Sequence, residues 1–220
     1  MLEIVVEGTV GAGKTALVEI LEKEMGMIGF YEMGDPIADR ILERYYTDKR
    51  RWCLTMELFF LHKRFLQINQ ANSVEKAVMD RSMMGDFVFV KMQKELGLLD
   101  ELEYEIYESF YRTFNKIVQP SKLLVYIKCS VDTAVKRIQK RGRHYEINVE
   151  KSYWEKLKFF YDQTFNETDH SNTLIIDGDT IDYVENPTHK LLVLSAIERC
   201  LKNPGKHLLS TDGLRELELV

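Results

Sequence analysis

The residues with the most chemical content stand near the N-terminus, where Gly8-Thr9-Val10-Gly11-Ala12-Gly13-Lys14-Thr15 fits the spacing G-x-x-x-x-G-K-[ST]. Glycines so placed let successive backbone N–H groups turn inward on phosphate oxygens. Lys14 adds a point charge at the β- and γ-phosphates, and Thr15 offers a hydroxyl to Mg²⁺. Gly8, Gly11, Ala12, Gly13, Lys14 and Thr15 are the expected phosphate-binding set. Further on, Glu32 follows Phe30-Tyr31, Asp80-Arg81-Ser82 follows an apolar run, and Lys140-Arg141-Gly142-Arg143 lies beyond mid-chain. A carboxylate beside an arginine in one cleft suits phosphoryl transfer: one group accepts the proton of an attacking hydroxyl while others hold the metal and the developing charge. Each read alone is equally a solvated strand end, and Arg137, Arg141 and Arg143 alone are equally cations at a helix C-terminus, stabilised by its dipole.

Such groups need elements to aim them. Ile4-Val5-Val6 is β-branched and ends at the glycine loop, which predicts a buried strand. From Lys14 to about Met25 the apolar residues Leu17, Val18, Leu21 and Met25 recur at helical spacing, and Gly26 stops the run. A brief strand at Phe30-Tyr31 ends at Glu32, and Pro36 suits a helix first turn. Helical patterns follow at about 52–71, 83–95, 101–118, 150–167 and 187–202, with strands at Lys76–Asp80, Leu123–Ile127 and Leu174–Ile176. Ser130 is placed to cap the helix ended by Gly142. Strands alternating with helices predict a doubly wound α/β fold with a five-stranded parallel sheet. The expected division is a phosphate-loop domain over 1–202 and a polar tail over 203–220, mobile or in contact with a partner.

Composition sets limits. In 220 residues, 45% are hydrophobic and 30% charged, which excludes disorder and small disulfide scaffolds. A net charge of −5 argues against a whole-surface grip on nucleic acid. Cys53, Cys129 and Cys200 are widely spaced and make no metal-ligand pattern. With no long apolar run, they predict a soluble cytoplasmic protein without a membrane partner. A GTPase is disfavoured. Asn115-Lys116 continues Ile117-Val118, so the guanine-reading N-K-x-D is absent, and no aspartate has glycine three residues on.

Taken in order, the glycine loop, Glu32, the spacing Trp52-x₄-Glu57-x₆-Arg64, Asp80-Arg81-Ser82 and Lys140-Arg141-Gly142-Arg143 resemble the deoxynucleoside kinases, in the branch of deoxycytidine, deoxyguanosine and deoxyadenosine kinases. The resemblance covers about residues 1–200. It implies a P-loop kinase fold with an arginine-rich lid at about 137–147, ATP as phosphate donor, Mg²⁺ and a homodimer. By position, Glu32 matches the general base for the nucleoside 5′-hydroxyl. Asp80 matches the acid near magnesium and Arg81 the arginine near the base and the 5′-oxygen. Tyr46 and Glu146 match contacts to the sugar 3′-hydroxyl, and the tyrosine also crowds the 2′ face. Arg137, Arg141 and Arg143 match the lid over the phosphates, and Asp179 falls where a loop meets the ATP adenine.

Arg64 and Asp86 match a base-contacting pair, where the alternative is an ordinary salt bridge between helices. Glu57 departs from the family, much of which carries glutamine. An ionised carboxylate only accepts hydrogen bonds, and guanine presents two donors, N1–H and the 2-amino group. The expected preference is therefore deoxyguanosine, and a protonated Glu57 would instead suit adenine. Two more departures concern the loop Glu32-Met33-Gly34-Asp35-Pro36 and Val90, which stands where many members place a base-stacking phenylalanine. Phe60, Phe87 and Phe89 are expected in the core. The competing activity is a nucleoside monophosphate kinase of thymidylate type. An acceptor phosphate there would meet repulsion from Glu32 and Glu57. A nucleotide-gated binding protein without turnover is the third reading, and a phosphorylation assay separates it.

Overall fold

Strand β1 (Leu2–Glu7) lies mid-sheet, which is why its run is apolar on both faces. The computed structural model describes residues 2–32, 35–166, 168 and 170–217. Within them the sheet has seven strands, joining β1 to β2 (Ile28–Phe30), β3 (Ala77–Asp80), β4 (Leu123–Lys128), β5 (Thr173–Asp177), β6 (Lys206–Ser210) and β7 (Gly213–Glu216). The order is β2-β3-β1-β4-β5-β6-β7, parallel throughout except for the β6–β7 hairpin. Residues along each strand alternate between two cores. Val5, Met79, Leu124 and Tyr126 face one, while Ile4, Val6, Val78 and Val125 face the other.

The first core is closed by α2 (Pro36–Thr47), α3 (Lys49–Asn72), α4 (Met83–Glu95), α5 (Glu101–Ile117) and α8 (Lys151–Asn166), and the second by α1 (Lys14–Met25) and α9 (Pro187–Lys202). Helix α6 (Val131–Arg141) and the one-turn α7 (His144–Ile147) form the arginine-rich segment beside the phosphate loop. No helix among the described residues is long and apolar enough to cross a membrane.

The doubly wound α/β expectation holds, but the sheet is larger than five strands. The segment from Asn203 is not a free tail: Lys206–Ser210 pairs in parallel with β5, buries His207 and Leu209, and turns back into β7. Helix α3 starts earlier than its apolar period suggests, because Asp48 accepts from Arg51 N and caps it. The Met33-Gly34 departure and residues 218–220 lie outside the described residues.

Candidate active site

The sheet reverses its winding at β1, with β3 on one side and β4 on the other, so the loops after β1 and β3 splay apart and open a crevice. The phosphate loop follows β1 directly. Gly13 holds φ +106°, and a Cβ there would stand 2.5 Å from the Tyr183 hydroxyl, so only glycine fits. Gly11 is equally confined, its would-be Cβ 2.4 Å from the carbonyl oxygen of Ala134 on α6. Lys14 Nζ donates to the carbonyls of Gly8 and Thr9 at 2.9 and 3.0 Å. Burial, then the Arg81 charge, lowers its pKa to about 8. The Thr15 hydroxyl donates to Asp80 Oδ2 at 2.6 Å, and Asp80 Oδ1 is buried with no hydrogen-bond partner.

Glu7 ties the two loops together. Its Oε1 accepts from Ser82 N and Oγ, both at 2.6 Å, and its Oε2 accepts from Gly8 N at 3.3 Å. Burial raises its pKa despite Arg81 and Ser82. Arg81 takes φ +77°, rare for a side chain of its size, and its guanidinium lies over the Phe89 ring at 4.8 Å while donating to the Tyr161 hydroxyl. Arg81 Nε faces Glu32 Oε1 at 3.1 Å, and Arg64 approaches the same oxygen at 3.6 Å. Burial pushes Glu32 up, but Arg81, Arg64 and Lys14 together outweigh it and hold its pKa at about 2. Lys63 fixes the backbone, donating to the Glu32 carbonyl at 2.8 Å.

One cleft is lined by Lys14 and Thr15 at one end and by Glu32, Tyr46, Glu57, Arg81, Asp86 and Glu146 further along. Its depth is polar and largely paired. Arg64 grips Asp86 with Nε–Oδ2 at 3.1 Å and Nη2–Oδ1 at 3.3 Å, and its Nη1 donates to the Asp80 carbonyl at 2.8 Å. Burial raises the Asp86 pKa in spite of that pair. Glu57 is buried, accepts from Gln93 Nε2 at 2.7 Å, and is pushed by burial up to about 8. At the rim, Tyr46 stacks on Tyr145 at 5.6 Å, and Glu146 pairs with Arg141 and with Arg143 at 3.4 Å.

A second cleft on the far side of the loop is lined by Gly13, Thr15, Arg137, Arg141, Ile181 and Tyr183. Arg137 is anchored there by the carbonyls of Ala12 and Gly178 at 2.7 and 2.9 Å. Lys14, Thr15 and Arg141 border both clefts. A donor phosphate and an acceptor hydroxyl can thus meet over the same loop.

Most residues expected in the site meet in these two clefts; Gly8 and Ala12 lie in the loop behind them and Arg64 is buried beneath, held to Asp86, while Asp179 lies apart. Asp179 lines neither: its carboxylate accepts from Ser130 N at 2.9 Å and from Ser130 Oγ at 2.9 Å, securing the start of α6. Phe60 is buried in the core and Phe89 packs against it, as expected, and both also line the first cleft; Val90 is wholly buried and Phe87 stacks with Tyr111 at 4.4 Å. Sequence reasoning passed over Glu7, Gln93, Tyr161 and Tyr183. A signal existed for Gln93, which lies seven residues after Asp86 and hence on the same helical face.

Thr15 and Asp80 supply hard oxygen donors, and the unpartnered Asp80 Oδ1 suits a cation that keeps waters and shares phosphate oxygens. Among the described residues no group of three or more His, Cys, Asp or Glu could hold a metal by itself.

Comparison with known proteins agrees with this geometry. The deoxynucleoside kinase family profile matches residues 4–202. A deoxyadenosine kinase of Lactobacillus acidophilus is 35% identical over 211 residues, spanning 92% of this chain and 97% of that protein. A deoxyguanosine kinase of the same organism is 32% identical, spanning 100% and 99%. The solved deoxyadenosine kinase of M. mycoides with bound dATP superposes with a TM-score of 0.77 at 27% identity, over 90% of this chain and 100% of that one. The chain belongs to the deoxynucleoside kinase family and is a phosphotransferase of that kind.

Proposed function

We propose that this kinase transfers the γ-phosphoryl group of ATP to the 5′-hydroxyl of a purine deoxynucleoside, deoxyguanosine favoured, releasing the 5′-monophosphate. The observation that carries the reading is the shared border of the two clefts at Lys14, Thr15 and Arg141. ATP occupies the Arg137–Tyr183 side, and the nucleoside occupies the side lined by Glu57. Glu32 accepts the 5′-proton and Arg81 steadies the oxygen. A carboxylate held at about 2 is always ionised near neutrality but is a weak base, so its main service is orientation, as expected where the transition state is loose. Lys14 leaves the Gly8 and Thr9 carbonyls for phosphate oxygens, and that anion restores its charge. Thr15 and Asp80 would hold Mg²⁺, which when bound neutralises charge on the phosphates. Arg141 and Arg143 exchange Glu146 for phosphate as the lid closes, while Tyr46 and Glu146 take the sugar 3′-hydroxyl. The setting is a cytoplasmic homodimer.

Deoxyguanosine is favoured because an ionised Glu57 accepts from guanine N1–H. A second reading, deoxyadenosine, draws support from the same residue, since burial favours its protonated form and that form donates. Phosphorylation of the four deoxynucleosides side by side, with dGMP and dTMP as controls, tests both. Above about pH 8, where Glu57 is ionised, deoxyguanosine should turn over fastest, and Glu57→Gln should there shift preference toward deoxyadenosine roughly tenfold, equivalent to about 1.4 kcal/mol. A ratio unmoved by that substitution counts against Glu57 as the reader. Activity confined to a monophosphate sinks the proposed acceptor.

A further inference from the structure

Gln93 is wholly buried on α4, yet its amide is engaged on both sides. Nε2 donates to Glu57 Oε1 at 2.7 Å and to the Tyr45 hydroxyl at 3.3 Å, and Oε1 accepts from the Cys53 thiol at 3.0 Å. The thiol fixes the sense of the amide: with Oε1 turned to the S–H donor, Nε2 is the group left facing Glu57. Glu57 Oε1 is thereby committed to accepting. Glu57 lines the cleft, and its Oε2 makes no hydrogen bond among the described residues. A proton on this carboxyl therefore belongs on Oε2, the oxygen left for a base edge.

Resting on the reading of the cleft as a purine deoxynucleoside site, we infer that Gln93 is a positioning residue that makes Glu57 a one-atom reader of the base. Protonated Oε2 donates to N1 of a 6-amino purine, and ionised Oε2 accepts from N1–H of a 6-oxo purine. The groups facing Glu57 come from several elements. They are Asp86 on α4, Glu32 beyond β2, Arg81 after β3, Tyr45 on α2, Cys53 on α3, Tyr107 on α5 and Tyr153 on α8. Arg64 is paired with Asp86, and Arg141, Arg143 and Glu146 border the same cleft. Burial opposes ionisation most, the Gln93 N–H favours it, Asp86 opposes, Arg81 favours and Glu32 opposes, leaving the balance at about 8. The reader thus changes state in the range where the enzyme can be assayed.

The test is kcat/KM for deoxyguanosine and for deoxyadenosine, measured across the pH range that brackets this value, on the wild type, Gln93→Met and Cys53→Ala. In the wild type the deoxyguanosine-to-deoxyadenosine ratio should rise several-fold with pH. The Lys14 pKa is also lowered to about 8, but Lys14 serves the phosphates of ATP, the donor common to both reactions, and cancels in the ratio. Gln93→Met removes the N–H that favours the carboxylate, so the rise should move upward by about one pH unit. Cys53→Ala frees the amide to turn and should move the rise the same way by less. Should Gln93→Met not fold, the wild-type profile and Cys53→Ala decide. A ratio flat with pH, or one midpoint shared by all the folded proteins, overturns the role of Gln93 and leaves the purine reading standing. Turnover of neither purine deoxynucleoside by the wild type overturns both.

Discussion

At the scale of single residues, Glu32 and Glu57 share one cleft and are driven in opposite directions. Desolvation disfavours charge on both, but Glu32 sits against Arg81 and Arg64, whereas the buried Glu57 is hydrogen-bonded to an amide and feels Arg81 only at a distance. The difference has a consequence for stability. Folding raises the Glu57 pKa from 4.5 to about 8, so between these values the folded chain holds a proton that the unfolded chain has lost. The contribution is fully present below 4.5 and is lost as pH rises through about 8. Glu57→Gln keeps the acceptor for Gln93 and has no proton to lose. It should therefore be more stable than wild type at pH 8, by on the order of 2–4 kcal/mol, with the gap closing toward pH 5. Thermal melts of the two proteins at several pH values measure this, and a gap that is constant with pH would refute it. A residue retained at such a cost to stability is what a specificity function demands.

At the scale of elements, the parts legible in the sequence were those whose signals are local. Helix α1 runs between Gly13 and Gly26 because both glycines take left-handed backbone that ends a helix, and its limits could be read directly. The phosphate loop, Glu32 and Asp80-Arg81 were likewise readable, since each lies at or just beyond a strand end in the chain. Gln93 was not, because its partner Glu57 is 36 residues away and nothing local marks a buried amide as a hand on another side chain. Asp179 misled for the converse reason: it follows β5 closely but turns toward Ser130 as a capping group. The hairpin after Asn203 was missed because Lys-His-Leu-Leu-Ser is short and hemmed by Pro204, Gly205 and Gly213, and only pairing with β5 makes it a strand. That pairing predicts an effect of its loss. Removing the residues from 206 onward bares the β5 edge and forfeits the burial of Leu209, about 1.5–3 kcal/mol for that side chain alone. The shortened protein should melt several degrees lower and aggregate more readily. Because the first cleft has no lining residue from β5, β6 or β7, KM for the nucleoside in the soluble fraction should be unchanged. An unaltered melting temperature would mean that the hairpin adds nothing to the sheet.

At the scale of the whole molecule, the surface carries one feature that the monomer does not use. Helix α5 buries Tyr107 against α4 but leaves Leu102, Ile106, Phe110 and Ile117 exposed at helical spacing, and Leu66 on α3 is exposed as well. With a net charge of −5 the molecule has no general reason to self-associate, so a stripe of this kind calls for a specific cover, and a second copy of the chain is the occupant that the proposed homodimer supplies. The same helix braces the site from behind: Tyr107 and Tyr111 stack on Phe87, one residue from Asp86 and on the helix that carries Gln93. Dimerisation would therefore stiffen the element that holds the proposed base-reading groups without contributing a residue to either cleft. Phe110→Lys places a charge in the middle of the stripe at a position that touches neither cleft. Light scattering should show a dimer for the wild type and a monomer for the variant. The monomer should retain turnover, with a raised nucleoside KM as the mark of a loosened α4. If Phe110→Lys remains a dimer, the interface lies on another face. If it becomes a monomer with unchanged KM, α5 joins the subunits without tuning the site.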